Sequence, residues 1–506
     1  MNSKIKTIVS IASSLLLTFL FYKKSLGLNL FISEFFLLFW ILKTNQIKLY
    51  TFNVILTFSG VLITLFATII THSILSYFVN FLALFILIGI LIYPETKSLL
   101  NSIKISLFNL FPSQYSFIKS FTSSNSDGFS TIKIIKRTSI FVIPILIIIV
   151  FIVIYSNSNP VFNDLANSFF DSITNFFSLN IFHNLNFSFI LTLLFLLFIS
   201  NLFLYKTKNE NIAESDYNSN FLLHRIRFKK NSFFKMNDLK NEYKAGVFLL
   251  ISLNLLLLLL NVIDIKWVWF NFEWEGQFLK QFVHEGTYLL ILSILISIGL
   301  VLYFFRKNLN FYQQNKLLKY LSYAWLIQNG VLTISVAIRN FYYISYFSLA
   351  YRRIGVILFL ILTLYGLYTV FIKVKDKKTS FYLFQTNFAA LFILLVVSSI
   401  VNWDKFIVNY NFKHANKSFL ELNYLVNFSD KTLPDLDKPL SELKEIQSLQ
   451  NEKFPFSRNY MSPENYHNII QERKNIFLNE WEEKDFLSWN LPEYLAYKKI
   501  KTSSSK

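Results

Sequence analysis

The chain has 506 residues, a net charge of +19 and no cysteine, and 54% of its residues are hydrophobic against 16% charged. The missing thiols exclude disulfides, thiolate metal sites, cysteine-ligated iron–sulfur clusters and cysteine nucleophiles. Apolar runs of about 20 residues recur, which a bilayer about 30 Å thick requires and a soluble core does not. We therefore predict an all-α polytopic transmembrane helix bundle, and no pattern indicates a cofactor or a metal.

The predicted membrane spans follow one another from the N-terminus to about residue 401. They are Thr7–Tyr22, Leu28–Leu42, Tyr50–Ile69, Ser73–Tyr93, Ser139–Ser156, Leu185–Tyr205, Ala245–Ile263, Glu285–Phe305, Leu318–Ile338, Ile354–Phe371 and Phe381–Val401. The first is flanked by lysines without a small-residue cleavage site, which predicts a retained anchor. Ser98–Phe121 has apolar residues at helical spacing and predicts an interfacial amphipathic helix. Residues 1–402 are predicted to form the bundle, and residues 403–506 a small, mostly helical or irregular region in which Asn465–Phe486 forms a helix.

Positive charge is concentrated in alternate loops. The basic loops are residues 94–138, 206–244, 306–319 and 373–378. The positive-inside rule then places the N-terminus in the cytoplasm and the tail outside, in a bacterial plasma (inner) membrane. The tail carries 15 basic and 15 acidic residues, so the excess charge lies before it and marks topology rather than a nucleic-acid footprint. The basic loops either bind anionic lipid headgroups or only set topology.

The ninth predicted span, Leu318–Ile338, has a polar face. Its polar side chains are Trp325, Gln328, Asn329, Thr333 and Ser335, and it runs into Arg339 and Asn340. At about 100° per residue, these seven side chains lie within about 160° of one helix face. Because polar groups are costly in lipid, this face is expected to line a ligand path or to bond to neighbouring helices. The sequence leaves both alternatives open.

The seventh predicted span offers partners for that face. Asn254 and Asn261 are seven residues apart, so they share one side of the helix and can bond across to the ninth span. Asp264 follows, on the predicted outer side, where it can pair with an arginine. The outer arginines are Arg339, Arg352 and Arg353. Since basic residues outside oppose the positive-inside tendency, we expect them to have fixed partners: lipid phosphate, an acidic side chain or an anionic substrate.

A histidine and a glutamate begin the eighth predicted span. His284 and Glu285 can take and give protons near neutral pH. Tyr288 stands where a His-Glu-x-x-His motif needs its second histidine, so a zinc protease is not indicated. The alternative is that the pair caps the helix N-terminus and meets headgroups.

These observations give one set of candidate binding residues. The set is His284, Glu285, Gln328, Asn329, Arg339, Asn340, Arg352 and Arg353. We favour transport or the handling of a lipid or envelope component, with membrane lipids, an envelope protein or a small anionic ligand as partners and no nucleic acid. A membrane sensor or scaffold is the alternative, and a membrane-embedded enzyme using His284 and Glu285 is the third. No phosphate-binding loop, nucleophile elbow or kinase module accompanies these residues.

Short motifs in a fixed order carry a family resemblance. They are Leu26-Gly27-Leu28-Asn29, Ser158-Asn159-Pro160, Leu255–Asp264, His284-Glu285-Gly286-Thr287, Trp325–Asn329, Arg339-Asn340 with Tyr343-Ile344, Tyr351–Gly355 and Asn402-Trp403-Asp404. From about residue 20 to the early tail, the chain resembles the bacterial multi-pass membrane family known as domain of unknown function 4173. It departs at Phe347-Ser348-Leu349-Ala350, where a Tyr-Gly-Leu-Thr-like stretch is expected. The resemblance implies a bacterial plasma-membrane protein and supplies no activity.

Overall fold

The structure is a computed structural model that describes most of the chain. The described residues are 3–44, 51–122, 164–165, 168, 187–225, 233–270, 276–306, 308–454 and 461–504, with the backbone alone at 3, 121–122, 187, 233–238, 276–287 and 503–504. Across these ranges the regular structure consists of α-helices with short 3₁₀ and π turns, and one isolated β-bridge joins Leu222 to Lys378. The predicted all-α fold is confirmed.

The helices before the tail are α1 Ser3–Phe21, α2 Leu28–Lys43, α3 Phe52–Thr71, α4 Ile74–Ile92, α5 Leu99–Thr122, α6 Phe187–Leu204, α7 Glu210–Tyr217, α8 Phe233–Asp264, α9 Gly276–Phe304, α10 Lys316–Phe347, α11 Tyr351–Asp376 and α12 Ser380–Ser399. All of them except α5 and α7 overlap a predicted span. Among the described residues, seven helices are long and apolar enough to cross a membrane: α1, α3, α4, α8, α10, α11 and α12. Helix α2 and the apolar parts of α6 and α9 are shorter. The fifth predicted span, Ser139–Ser156, lies outside the described residues.

The described residues of the tail form six further α-helices. They are α13 Trp403–Lys413, α14 Leu422–Leu425, α15 Leu433–Leu436, α16 Leu440–Lys453, α17 Pro463–Glu482 and α18 Leu491–Ser504. The helix predicted over Asn465–Phe486 is confirmed as α17, which begins where the Ser462 hydroxyl accepts from Asn465 N. It ends earlier than predicted because Asp485 caps a separate 3₁₀ turn by accepting from Leu487 N at 2.8 Å.

The first of two compact units comprises Met1–Ile69, Asn80–Tyr217 and Asp485–Trp489. Small polar side chains join its helices: Ser10 Oγ of α1 donates to Asn201 Oδ1 of α6 at 2.5 Å. Gly27 precedes α2 and lies against the backbone of 488–489, where an added Cβ would stand 2.6 Å from two carbonyl oxygens. Only glycine permits this approach, which also lets Leu28 N donate to Trp489 O at 3.0 Å.

Helix α5 of the same unit has its apolar side outward. Ser102, Ser106 and Asn109 are fully buried, whereas Leu107 and Phe111 are exposed. The Ser106 hydroxyl donates to Phe85 O of α4 at 2.6 Å. The predicted helix is confirmed, and its placement at the membrane interface stays a prediction.

The second unit comprises Ile70–Val79, Asn218–Lys484 and Asn490–Lys506. One apolar core lies between α8, α9, α10 and α11, and a second joins the tail to Ile344, Leu349 and Ile354 where α10 meets α11. At the other end of α11, the strand-like stretch before α8 bonds to the turn into α12, with Leu223 N donating to Lys377 O at 2.8 Å. The tail and this basic turn therefore lie at opposite ends of α11.

Ion pairs also hold the tail within this unit. Lys431 Nζ donates to the carbonyl oxygens of Thr71 and His72 at 3.0 Å each and lies 2.9 Å from Asp404 Oδ2. Its side chain is only 2% exposed. Lys431 thus ties the segment between α3 and α4 to the start of the tail.

Glu493 of α18 forms a second ionic contact. Its carboxylate pairs with Lys484, and its Oε1 lies 3.4 Å from His72 Nε2. Burial alone would raise the pKa of Glu493, but the hydrogen bonds and charges of His72 and Lys484 outweigh burial and lower the pKa to about 2. The ionised carboxylate therefore stabilises the folded tail.

Ser348, between α10 and α11, has a strained backbone conformation. Its φ is 64° and its ψ is −177°, a conformation that is costly for any residue with a Cβ. Two hydrogen bonds of the Ser348 hydroxyl stabilise this conformation: it donates to Phe419 O and is hydrogen-bonded to Ser418 Oγ, both at 2.8 Å. A glycine would relieve the strain but would lose both bonds.

Candidate functional site

Helices α8 and α10 meet along a polar seam, defined here by Asn254, Asn261 and Asp264 of α8 with Gln328 and Arg339 of α10. Gln328 Nε2 donates to Asn254 Oδ1 at 2.8 Å, and Asn261 Nδ2 donates to Gln328 O at 3.1 Å. The seven-residue spacing puts the two asparagines on one side of α8, so both reach the same neighbour. The predicted bonding between the seventh and ninth spans is confirmed.

An ion pair closes one end of the seam. Arg339 donates from an Nη atom to Asp264 Oδ1 at 2.5 Å, and the two side chains are 6% and 4% exposed. The predicted pairing of Arg339 with Asp264 is confirmed, and the outer placement of the pair stays a prediction. A π-helical turn, Ile265–Phe270, continues α8 past this pair, and Trp269 Nε1 there donates to Ser335 Oγ of α10 at 2.8 Å. Single π turns within α-helices are frequent at functional sites.

Several buried polar atoms of the seam and its surroundings have no hydrogen-bond partner among the described residues. They are the oxygens Asn261 Oδ1, Asp264 Oδ2, Gln328 Oε1 and Asn329 Oδ1, and the nitrogen Trp325 Nε1. Each such atom costs about 1–3 kcal/mol if it stays unsatisfied. The seam and the neighbouring Asn329 and Trp325 thus hold four acceptors and one donor that have no partner among the described residues.

The remaining predicted residues lie in three places. Asn340 Nδ2 donates to Arg353 O at 3.2 Å, and the Arg353 guanidinium donates to Phe347 O at 2.6 Å and lies 4.5 Å from the centre of the Tyr343 ring. Arg353 therefore binds the corner between α10 and α11, apart from the Arg339 pair. Arg352 is exposed. His284 and Glu285 belong to α9, but their side chains lie outside the described residues.

An apolar groove lies beside the seam. It has a cavity volume of about 270 Å³, and its walls are Leu253 of α8, Trp325 of α10 and a stripe of α9 from Leu289 to Leu300. Leu289 and Ile296 are 65% and 62% exposed, so the groove opens outward on an apolar surface. Trp325 is 6% exposed and lies in its wall, with Nε1 among the atoms that lack a partner. The groove thus combines a mostly apolar surface, in which Ser293 and Ser297 are the polar residues of the α9 stripe, with the buried donor of Trp325.

Sequence reasoning missed Glu34, in the first unit. This carboxylate lies within α2 and is only 4% exposed. Its Oε2 accepts from Asn80 Nδ2 of α4 at 2.9 Å. The signal was visible, since an acidic residue inside an apolar span is costly and usually functional.

Comparisons with known proteins place the chain without assigning an activity. A family model described as a domain of unknown function (DUF4153) matches residues 16–438. No curated protein and no solved structure matches the chain. The matched family carries the number 4153 rather than 4173, and it agrees with the resemblance in being of unknown function. The match spans α2 to α15, so it includes the seam, the groove and Glu34.

Proposed function

The chain belongs to the family of the domain of unknown function DUF4153, and from that premise we propose that it is a lipid-handling membrane protein. In this proposal the groove between α8, α9 and α10 holds an acyl chain of a membrane lipid or a lipid-linked envelope component. The indole of Trp325, whose N–H is covered in the structure, turns towards the groove in this proposal and donates to an oxygen atom of the same molecule. Transport of that molecule across the membrane is the fuller form of the proposal.

The shape of the groove supports a chain-like occupant. Its volume of about 270 Å³ falls just below the range of about 300–1,000 Å³ that is typical of pockets for compact ligands. Its exposed apolar wall belongs to helices of a membrane bundle, where lipid acyl chains are the surrounding medium. An acyl chain that enters the groove therefore moves from one apolar environment to another, and no desolvation free energy opposes its binding.

Trp325 Nε1 is the observation that carries the proposal. A buried donor without an acceptor costs about 1–3 kcal/mol, and hydrocarbon cannot supply an acceptor. An ester, amide or hydroxyl oxygen near the head of an amphiphile can. The groove thus favours a chain that ends in an oxygen-bearing group over a plain hydrocarbon.

The proposal includes a location and an orientation. We propose that the protein lies in a bacterial inner membrane with its N-terminus in the cytoplasm and its tail outside. The basic turn Lys373–Lys378 and the tail core at Leu349 lie at opposite ends of α11, which matches the positive-inside rule if the tail is external. A sensor or scaffold function is the second candidate, because an outer tail packed on α10 and α11 offers a surface to envelope partners.

Photolabelling tests the lipid proposal. The full-length protein is placed in vesicles that contain phosphatidylglycerol with a photoreactive diazirine on one acyl chain, irradiated and digested. We expect adducts concentrated on Leu289–Leu300. Ile296→Trp fills the groove and should lower these adducts severalfold, whereas Leu295→Trp, an exposed neighbour that is not part of the groove wall, should not.

Equal labelling of all lipid-exposed helices, unchanged by Ile296→Trp, would contradict the proposal. Lipid contact would then be general solvation by the bilayer. Capture of a soluble envelope protein by the tail in the same vesicles, with an unlabelled groove, would favour the scaffold candidate.

A further inference from the structure

Glu34 marks a separate site in the first unit. In the part of the chain that the structure describes, Asn80 is its one hydrogen-bonding partner, and it forms no ion pair with a lysine, arginine or histidine. Its second oxygen, Oε1, is buried and has no partner among the described residues. Glu34 therefore differs from Asp264 of the seam, which has an arginine beside it.

The depth of the site follows from helix geometry. Glu34 lies six residues after the start of α2, and Asn80 lies six residues after the start of α4, which is about 9 Å along each axis. Thr64 Oγ1, 3.3 Å from Asn80 Nδ2, lies seven residues before the end of α3, about 10 Å along that axis. Three helices thus bring one carboxyl, one amide and one hydroxyl to the same level, about 9–10 Å from the helix ends, a distance equal to about a third of a bilayer core about 30 Å thick.

The surroundings disfavour a fixed charge there. The exposed side of the same helix carries phenylalanines, at Phe35, Phe36 and Phe39. These side chains supply no polar group that could stabilise a charge on Glu34. A carboxylate without a counter-ion in such surroundings is neutralised by binding a proton, because the cost of burying its charge exceeds that of protonation. The protonated carboxyl then presents its hydroxyl at the unpartnered oxygen, while Asn80 continues to donate to the other oxygen.

We propose that the Glu34–Asn80–Thr64 cluster is a proton-binding site within the membrane, with a proton as its ligand. Asn80 holds the carboxyl in place and stabilises its ionised form, so the proton is released when the site meets water or base rather than being held permanently. The site rests on contacts within the first unit and is independent of the groove between α8, α9 and α10. Failure of one proposal leaves the other standing.

Carbodiimide labelling tests the proposal in the full-length protein. A protonated carboxyl adds across a C=N bond of dicyclohexylcarbodiimide, and the acyl group then migrates to nitrogen, so the adduct keeps every atom of both reactants. In vesicles at pH 7 we expect the adduct at Glu34 and not at Glu95, which is exposed after α4. Once the ionised form dominates, labelling should fall about tenfold for each further pH unit.

Two variants sharpen the test. Glu34→Gln should remove the adduct. Asn80→Leu should extend labelling to higher pH, because it removes the donor that stabilises the ionised carboxylate. An absent adduct at every pH, or one that does not change with pH, would overturn the proposal. Protection by sodium chloride at constant pH would also overturn it, by assigning the site to a metal cation.

Discussion

The buried pair of Arg339 and Asp264 permits a quantitative test of the seam. Removing one partner from such a pair leaves an uncompensated charge and typically costs about 3–5 kcal/mol. We expect Asp264→Leu to cost more than Arg339→Leu, because the guanidinium cannot lose its proton in a protein whereas a carboxylate can gain one. The double variant should recover more than half of the loss, since replacing both charges with apolar groups removes the desolvation penalty as well.

The assay is a double-mutant cycle on unfolding titrations in mixed detergent. Arg306 and Glu242 provide the control, because this pair is 3.7 Å apart with side chains 39% and 34% exposed, and such pairs are worth about 0–1 kcal/mol. A coupling free energy between Arg339 and Asp264 no larger than that of the control pair would show that the buried ion pair is not stabilised by its burial. It would mean that the pair is solvated and that the seam is open to water.

Three further predictions concern the tail and its junction with the bundle. Ser348→Ala keeps the strained backbone and loses two hydrogen bonds, so its melting temperature should fall below that of Ser348→Gly, with a difference of about 1 kcal/mol in the free energy of unfolding. The folded-state pKa of Glu493 is about 2, below the ordinary 4.5, so its ionised carboxylate contributes about 3 kcal/mol to the free energy of unfolding above pH 4.5, and this contribution is lost as the pH falls towards 2. Glu493→Gln should therefore weaken the fall in the free energy of unfolding between pH 4.5 and pH 2. Glu480→Gln, at an exposed position, is the control and should leave this pH dependence unchanged. Lys431→Met leaves two carbonyl oxygens and a carboxylate without their cation and should cost about 3–5 kcal/mol by thermal unfolding, whereas Lys444→Met, at a side chain 55% exposed, should cost less than about 1 kcal/mol.

Local periodicity explains what could be predicted about the seam. The spacing of Asn254 and Asn261 fixes their common face whatever the fold, and polar groups in lipid must find one another. Asp264 follows on the same helix, so its pairing with Arg339 needed only that α8 and α10 be neighbours. The bonding of these residues was therefore within reach of the sequence.

The rest depended on contacts between distant residues. Nothing local indicates that Leu349 would be held by Asn411, or that Lys431 would reach the carbonyl oxygens before α4. The groove likewise exists only because α8, α9 and α10 pack with a gap at Trp325. Glu34 was visible in the sequence, but its importance comes from Asn80, 46 residues away.

Lipid retention in detergent shows whether the Trp325 N–H binds the oxygen-bearing end of a lipid in the groove. The protein is purified in mild detergent, and the lipids that remain bound are counted by native mass spectrometry. We predict that Trp325→Phe, which keeps an aromatic ring and removes the donor, loses a retained lipid at least severalfold faster than the wild type, whereas Trp267→Phe, at an indole 61% exposed, retains it normally. Identical retention by the wild type and both variants would contradict lipid binding by the Trp325 N–H.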